Sequence, residues 1–344
     1  MTELEKRYNE VSHEMVEKFE DCLGYPEDTL VKLFHLGRKI RGLGNDGMET
    51  GAETPYEVLE PLMREYVGLA DGLEKTRPMP ERIYLWPEGK IPQLTEYTEN
   101  DGSFNHDPDF VPYMYEVLLP EDVTPKGAVI LCAGGDHGDC VLQEAYGDLE
   151  YFLSRRYQCF ILLNRVNKRP WNAQDVGADV ARAIRIIRRD AAKYRIDADK
   201  VAFAGFSNGG LTGEDCIEYY SGDQKMTDWY PDYEPDELDE YYGAPDAFLC
   251  VYGPRYVNGP FKWEGVKYPP TFFAIGREDR ALDNFNYVYP QLLEHKVPVE
   301  IHTYAAVPHG QAGVRLLGET RYDNFMTWVD LADAFLCDVF GIER

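Results

Sequence analysis

Val201 to Gly210, VAFAGFSNGG, restricts the chain more than any other stretch. Its first residues form a short apolar run suited to a strand buried on both faces. Gly205-Phe206-Ser207-Asn208-Gly209 then has the GxSxG form, in which such a strand turns sharply into a helix. The turn stands the serine hydroxyl above the sheet in strained backbone, and glycines flank it because side chains would collide there. The chain holds only five serines, so one falling by accident between two correctly spaced glycines is a rare event.

A buried strand needs a sheet around it, and the flanking sequence supplies one. Gly127 to Cys132 (GAVILC) is a continuous apolar run. A helical pattern over Gln143 to Arg156 leads to a strand at Gln158 to Leu163, and a helix over Val176 to Tyr194 leads to a strand at Lys200 to Gly205. After an acidic, tyrosine-rich loop at Ser221 to Gly243, strands are expected at Phe248 to Tyr252, Thr271 to Ile275 and Val299 to Tyr304. Helices are expected at Asn284 to His295 and Arg321 to Phe340. Alternation of this kind predicts an α/β fold with a mostly parallel sheet and helices on both faces. Arg82 to Trp86 and Val111 to Leu119 read as two further strands before it.

Residues 1 to about 75 read as helical instead, with apolar positions recurring in Leu4-Tyr8-Val11-Met15-Phe19 and in Tyr56-Leu59-Leu62-Met63-Tyr66-Val67. Thr76 to Pro80 (TRPMP) serves as a linker, so the expected organisation is a helical appendage over 1–80 and a catalytic domain over 81–344. The appendage is expected to cover the catalytic domain or to mediate homo-oligomerisation.

Charge and cysteine content narrow the partners. A net charge of −26 repels nucleic acid phosphates and anionic lipid, which leaves a neutral or cationic small molecule as the expected substrate. Seven cysteines are an odd number and several lie inside apolar runs, so they read as reduced core residues. The amino terminus, MTELEKRYNEVSHEM, lacks an apolar signal-like core, and no run approaches the roughly 18 apolar residues of a membrane span. The expected location is the cytoplasm.

A serine hydroxyl is a weak nucleophile and needs a base, which in turn needs an orienting acid. In an open α/β sheet such groups gather at the carboxyl ends of strands, and after a GxSxG elbow they follow in the order acid, histidine. Asp279, three residues past Gly276, is the expected acid, with Glu278 and Asp283 as near alternatives. His309 in Val307-Pro308-His309-Gly310 is the expected base. His295 ends a helix, and His302 lies within a strand. Donors for the developing oxyanion are expected from the backbone N–H of Asn208 and from Gly134 and Gly135 in the turn after GAVILC. The run Asp136-His137-Gly138-Asp139-Cys140 places its ligands too close on one turn to close a metal tetrahedron. The same glycine turn lacks the lysine and spacing of a phosphate loop. No metal and no cofactor are expected.

Longer stretches carry a resemblance: RIYLWPEGKIP, CAGGDHG, DVARAIRIIRRDAAKYRIDADKVAFAGFSNGG, YPPTFFAIGREDRAL, VPVEIHTYAAVPHGQAG and a last helix with Trp328. From about Arg82 onward the chain resembles the α/β-hydrolase superfamily, and within it the esterase/lipase group that contains bacterial acetyl xylan and related carbohydrate esterases. The resemblance implies an α/β-hydrolase fold, with Ser207 as nucleophile, Asp279 as acid and His309 as base. It also implies small acyl esters, often acetyl groups on sugars, as substrates. Three positions depart from the group's pattern: Ala133 stands where proline is usual, Asp136 where a third glycine is, and Asn208 where a small residue is common. Asp136 and His137 are therefore expected to put polar side chains at the pocket mouth. Two other readings remain: a serine peptidase or amidase, with the acidic Ser221 to Gly243 stretch suiting a cationic leaving group, and a noncatalytic binding protein on the same fold.

Overall fold

The computed structural model describes residues 2–25, 30, 32–37, 39–40, 55–75, 79–95, 110–135, 140, 142–165, 172–255, 261–312 and 322–344. The described residues divide into two compact units, one up to Pro80 and one from Glu81 onward.

In the first unit the described residues include the helices α1 (Glu3–Glu20) and α2 (Tyr56–Asp71), with further helical residues at 30, 32–37 and 39–40. Their apolar stripes bury Val11, Leu59, Met63 and Tyr66, and the Tyr8 and Tyr56 rings stack at 4.2 Å. Lys18 bonds Asp71 at 2.6 Å across the pair. Among the described residues no helix is long and apolar enough to cross a membrane.

The second unit is an eight-stranded sheet: β1 (Arg82–Tyr84), β2 (Tyr113–Val117), β3 (Gly127–Cys132), β4 (Tyr157–Leu163), β5 (Val201–Phe206), β6 (Ala247–Val251), β7 (Thr271–Gly276) and β8 (Val299–Tyr304). The spatial order is β1-β2-β4-β3-β5-β6-β7-β8, with β2 antiparallel to both β1 and β4 and every other pair parallel. Strands β3 to β7 are buried along their whole length, as their continuous apolar runs require. The helices are α3 (Leu142–Ser154), α4 (Ala173–Arg189), α5 (Asn208–Tyr220), α6 (Leu282–Glu294) and α7 (Trp328–Phe340). This is the α/β-hydrolase fold. The seven cysteines are all free thiols, and all but Cys140 are buried.

Three elements differ from the sequence expectation, the first being the last helix, expected over Arg321 to Phe340 and found as a turn at Asp323–Met326 followed by α7. The helix expected over Val176 to Tyr194 starts earlier, where Asn172 accepts the N–H groups of Gln174 and Asp175, and ends at Arg189, with a separate turn at Ala191–Tyr194. The acidic loop over 221–243 contains helical turns at Met226–Trp229 and Glu237–Glu240. Its Asp236 and Asp239 bind Arg182 and Arg185 of α4, both at 2.7 Å. Those two carboxylates therefore neutralise arginines of this chain.

Candidate active site

The elbow forms where β5 passes into α5. Ser207 has φ 49° and ψ −118°, a conformation that costs a non-glycine residue about 1–3 kcal/mol and persists because its surroundings fix it. Its N–H donates to the Val251 carbonyl on β6 (3.0 Å), and its carbonyl accepts from Gly210 (2.9 Å). The flanking glycines are obligatory, since a Cβ on Gly205 would lie 2.3 Å from the Gly209 carbonyl oxygen and one on Gly209 would lie 2.1 Å from that of Cys132.

Three strand ends supply the side chains. Ser207 Oγ lies 2.8 Å from His309 Nε2, and His309 Nδ1 lies 2.8 Å from Asp279 Oδ1. Asp279, three residues past the end of β7, is 5% exposed; the alternatives Glu278 and Asp283 point into solvent. The Ala281 N–H also donates to Asp279 Oδ1 (2.7 Å), which fixes the carboxylate. The loop after β8 carries His309 to this carboxylate, held there by the Glu278 N–H on the Val307 carbonyl (3.1 Å). The other two histidines are engaged elsewhere: His295 stacks on Trp263 at 3.9 Å, and His302 pairs with Glu300 at 2.7 Å.

A serine, a histidine and a buried carboxylate in this linear array can move a proton from Oγ to Nε2 while Asp279 stabilises the imidazolium. The Asn208 N–H lies in the first turn of α5, where helix N–H groups have no acceptor within the helix and the dipole favours negative charge. Gly135 is buried in the turn after β3, with φ 149°.

Gly134 corrects the sequence expectation. Its N–H donates to Glu144 Oε2 at 2.7 Å, so this amide is not a donor waiting for an oxyanion. Glycine is nonetheless required, because a Cβ there would lie 2.6 Å from Ser207 Cβ and 2.9 Å from Glu144 Oε2. Asp136 and His137 lie outside the described residues.

Two site residues escaped the sequence reading. Glu144 on α3 is buried, and its Oε1 accepts the Tyr252 hydroxyl at 3.1 Å. Tyr252, one residue past β6, packs its ring edge-on to His309 at 5.0 Å. Burial, then the neighbouring Glu144 and Asp148 carboxylates, pushes its hydroxyl far above the ordinary tyrosine range. Only hindsight connects them: a glutamate in a helix and a tyrosine ending an apolar strand carry no motif.

Behind the elbow, α5 buries Glu214, Asp215 and Glu218 near Arg255. Glu214 accepts the Arg255 backbone N–H (2.7 Å) and the Tyr268 hydroxyl (3.0 Å). Burial outweighs these bonds and pushes its carboxyl up to about 7; burial likewise raises Asp215 well above the usual range.

No protein-family model matches the sequence. A curated relative, endo-1,4-beta-xylanase B of Butyrivibrio fibrisolvens, is 25% identical over 210 residues, 58% of this chain. The chain spans 31% of that protein's length. Among solved structures, the acetyl ester-xyloside bifunctional hydrolase of Caldicellulosiruptor lactoaceticus aligns with a TM-score of 0.60 at 21% identity, covering 78% of this chain and all of the other. The propionate-bound esterase 2 of Thermogutta terrifontis aligns at 0.54 and 19% identity, over 75% of this chain and 98% of that one. An α/β hydrolase from a Medee basin deep-sea metagenome library aligns at 0.53 and 20%, over 70% and 96%. These likenesses agree with the α/β-hydrolase architecture read from the sheet order.

Proposed function

We propose that the chain is a serine carboxylesterase that hydrolyses small acyl esters, acetylated carbohydrates among them. Ser207 attacks the ester carbonyl while His309 Nε2 takes its proton. Asp279, bonded to Nδ1, holds the imidazole in the tautomer that leaves Nε2 free to accept. The N–H groups of Asn208 and Gly135 stabilise the oxyanion, each worth about 3 kcal/mol. His309 then protonates the leaving alcohol, and water activated by the same imidazole releases the acid from the acyl-enzyme. Every step uses groups of this chain.

The observation that carries this reading is the pair of 2.8 Å contacts linking Ser207, His309 and the buried Asp279 beyond the ends of β5, β8 and β7. Two comparison proteins are named for xylan or xyloside chemistry, which favours acetylated sugars as the substrate class. The pairing of Asp236 and Asp239 with α4 weakens the case for a cationic amide substrate. The test is hydrolysis of p-nitrophenyl esters of increasing acyl length and of acetylated xylo-oligosaccharides by wild type and Ser207→Ala. The reading expects short acyl chains to be preferred and the variant to be inactive; hydrolysis surviving in the variant would refute it.

A further inference from the structure

Two buried side chains outside the triad join the turn after β3 to the histidine loop. Glu144 is 6% exposed and bridges two partners with its two oxygens, accepting the Gly134 N–H at 2.7 Å and the Tyr252 hydroxyl at 3.1 Å. The Tyr252 hydroxyl in turn accepts the Ala312 N–H at 3.1 Å, three residues past His309. The ring of Tyr252 meets the His309 imidazole edge-on at 5.0 Å and also contacts Phe206, the residue before Ser207, at 6.5 Å. Tyr252 itself has φ 43°, a left-handed backbone that a tyrosine adopts only when its surroundings impose it.

We propose that Glu144 and Tyr252 are positioning residues for the reaction, a carboxylate-phenol strap that sets the Gly134-Gly135 turn and the His309 ring at fixed positions relative to Ser207. The inference rests on the esterase reading. Glu144 takes the Gly134 N–H out of the site and so fixes the Ala133–Gly134 peptide, leaving Gly135 as the turn's donor. Tyr252 acts on the other side, with its ring against the imidazole and its hydroxyl on the loop that carries it. A charged acceptor is suited to this task because its hydrogen bonds are about twice as strong as neutral ones. The phenol, kept protonated by burial, donates to Glu144 while accepting from Ala312. Glu144 acts through the Gly134 peptide, and Tyr252 through the His309 ring and the loop that carries it. A displacement of about 1 Å in such a site lowers turnover by about 100-fold, so the strap acts through geometry.

The test compares Tyr252→Phe, Glu144→Ala and Glu144→Gln on p-nitrophenyl acetate. Tyr252→Phe keeps the ring and removes the bridging hydroxyl; it should lower kcat about tenfold with KM within about twofold. Glu144→Ala should lower kcat about 100-fold, and Glu144→Gln, which still offers an oxygen to Gly134, should recover about tenfold of that loss. Native-state labelling of Ser207 by a fluorophosphonate should persist in all three, at a reduced rate. Should Glu144→Ala fail to fold, Tyr252→Phe and Glu144→Gln decide the matter. A kcat within about twofold of wild type in Tyr252→Phe and in each folded Glu144 variant would overturn the strap while leaving the esterase reading intact. Hydrolysis that survives Ser207→Ala would instead overturn the esterase reading itself.

Discussion

Replacing Glu214 with glutamine should remove a measurable part of this protein's dependence of stability on pH. The side chain is 1% exposed on α5, close behind the nucleophile, and its carboxyl is pushed from the ordinary 4.5 up to about 7 chiefly by burial. An acid raised in the folded state keeps its proton where the unfolded chain has lost it. The folded state therefore binds more protons between these values, and stability falls as pH rises through them. At about 1.4 kcal/mol per pH unit, the interval corresponds to about 3 kcal/mol, present below pH 4.5 and lost above about 7. Glutamine is close to isosteric and has no proton to lose, and Asp215, whose carboxyl is raised mainly by burial and in part by Glu214, remains in both proteins. Urea unfolding of wild type and Glu214→Gln, followed by tryptophan fluorescence from pH 4 to pH 8, measures the difference. Relative to wild type, the variant should gain about 3 kcal/mol across this range. A difference that stays constant with pH would show instead that Glu214 has the same proton affinity folded and unfolded.

Asp279→Asn should keep the fold but lower kcat on p-nitrophenyl acetate by about 1,000-fold or more, since an amide stabilises the wrong imidazole tautomer and no imidazolium. Gly134→Ala should lower kcat at least about tenfold, because its methyl would meet Ser207 Cβ at 2.6 Å and the Phe206 carbonyl oxygen at 2.8 Å; wild-type kinetics would count against the turn geometry. Away from the site, Asp179→Ala should lower stability in urea by about 3–5 kcal/mol. Asp179 is fully buried, and it accepts from Arg165 Nη2 (2.8 Å), the Arg165 backbone (2.9 Å) and the Trp86 indole (2.8 Å), so its loss leaves a buried guanidinium without its main counter-charge.

The parts of this architecture that were legible in the sequence are those fixed by short-range physics. Strands β3 and β5 follow from unbroken apolar runs, β4 from the apolar run after Gln158, and the elbow from glycines at two fixed offsets around Ser207. The order of Asp279 and His309 after it follows from the rule that functional groups sit at strand ends. Partners set by folding over long separations left no local mark. Glu144 lies on a helix whose pattern gives no reason to bury an acid, and its partners are Gly134 and Tyr252, the latter 108 residues away. The arginines of α4 are a second case: Arg182, Arg185 and Arg188 recur as a solvent-facing stripe would, yet all are buried under the segment that carries Asp236 and Asp239. Gly134 failed for the same reason. A glycine turn after β3 says that a backbone amide is accessible, but not which acceptor folding will bring to it.

Ser207 as the nucleophile, activated by His309 and Asp279, can be checked by chemical labelling: the folded protein is reacted with a fluorophosphonate and digested, and the adduct is mapped by mass spectrometry. The adduct should fall on Ser207 alone, form in native protein, and disappear on prior denaturation or in His309→Ala. An unmodified Ser207, or an adduct that forms equally well on the unfolded chain, would contradict it.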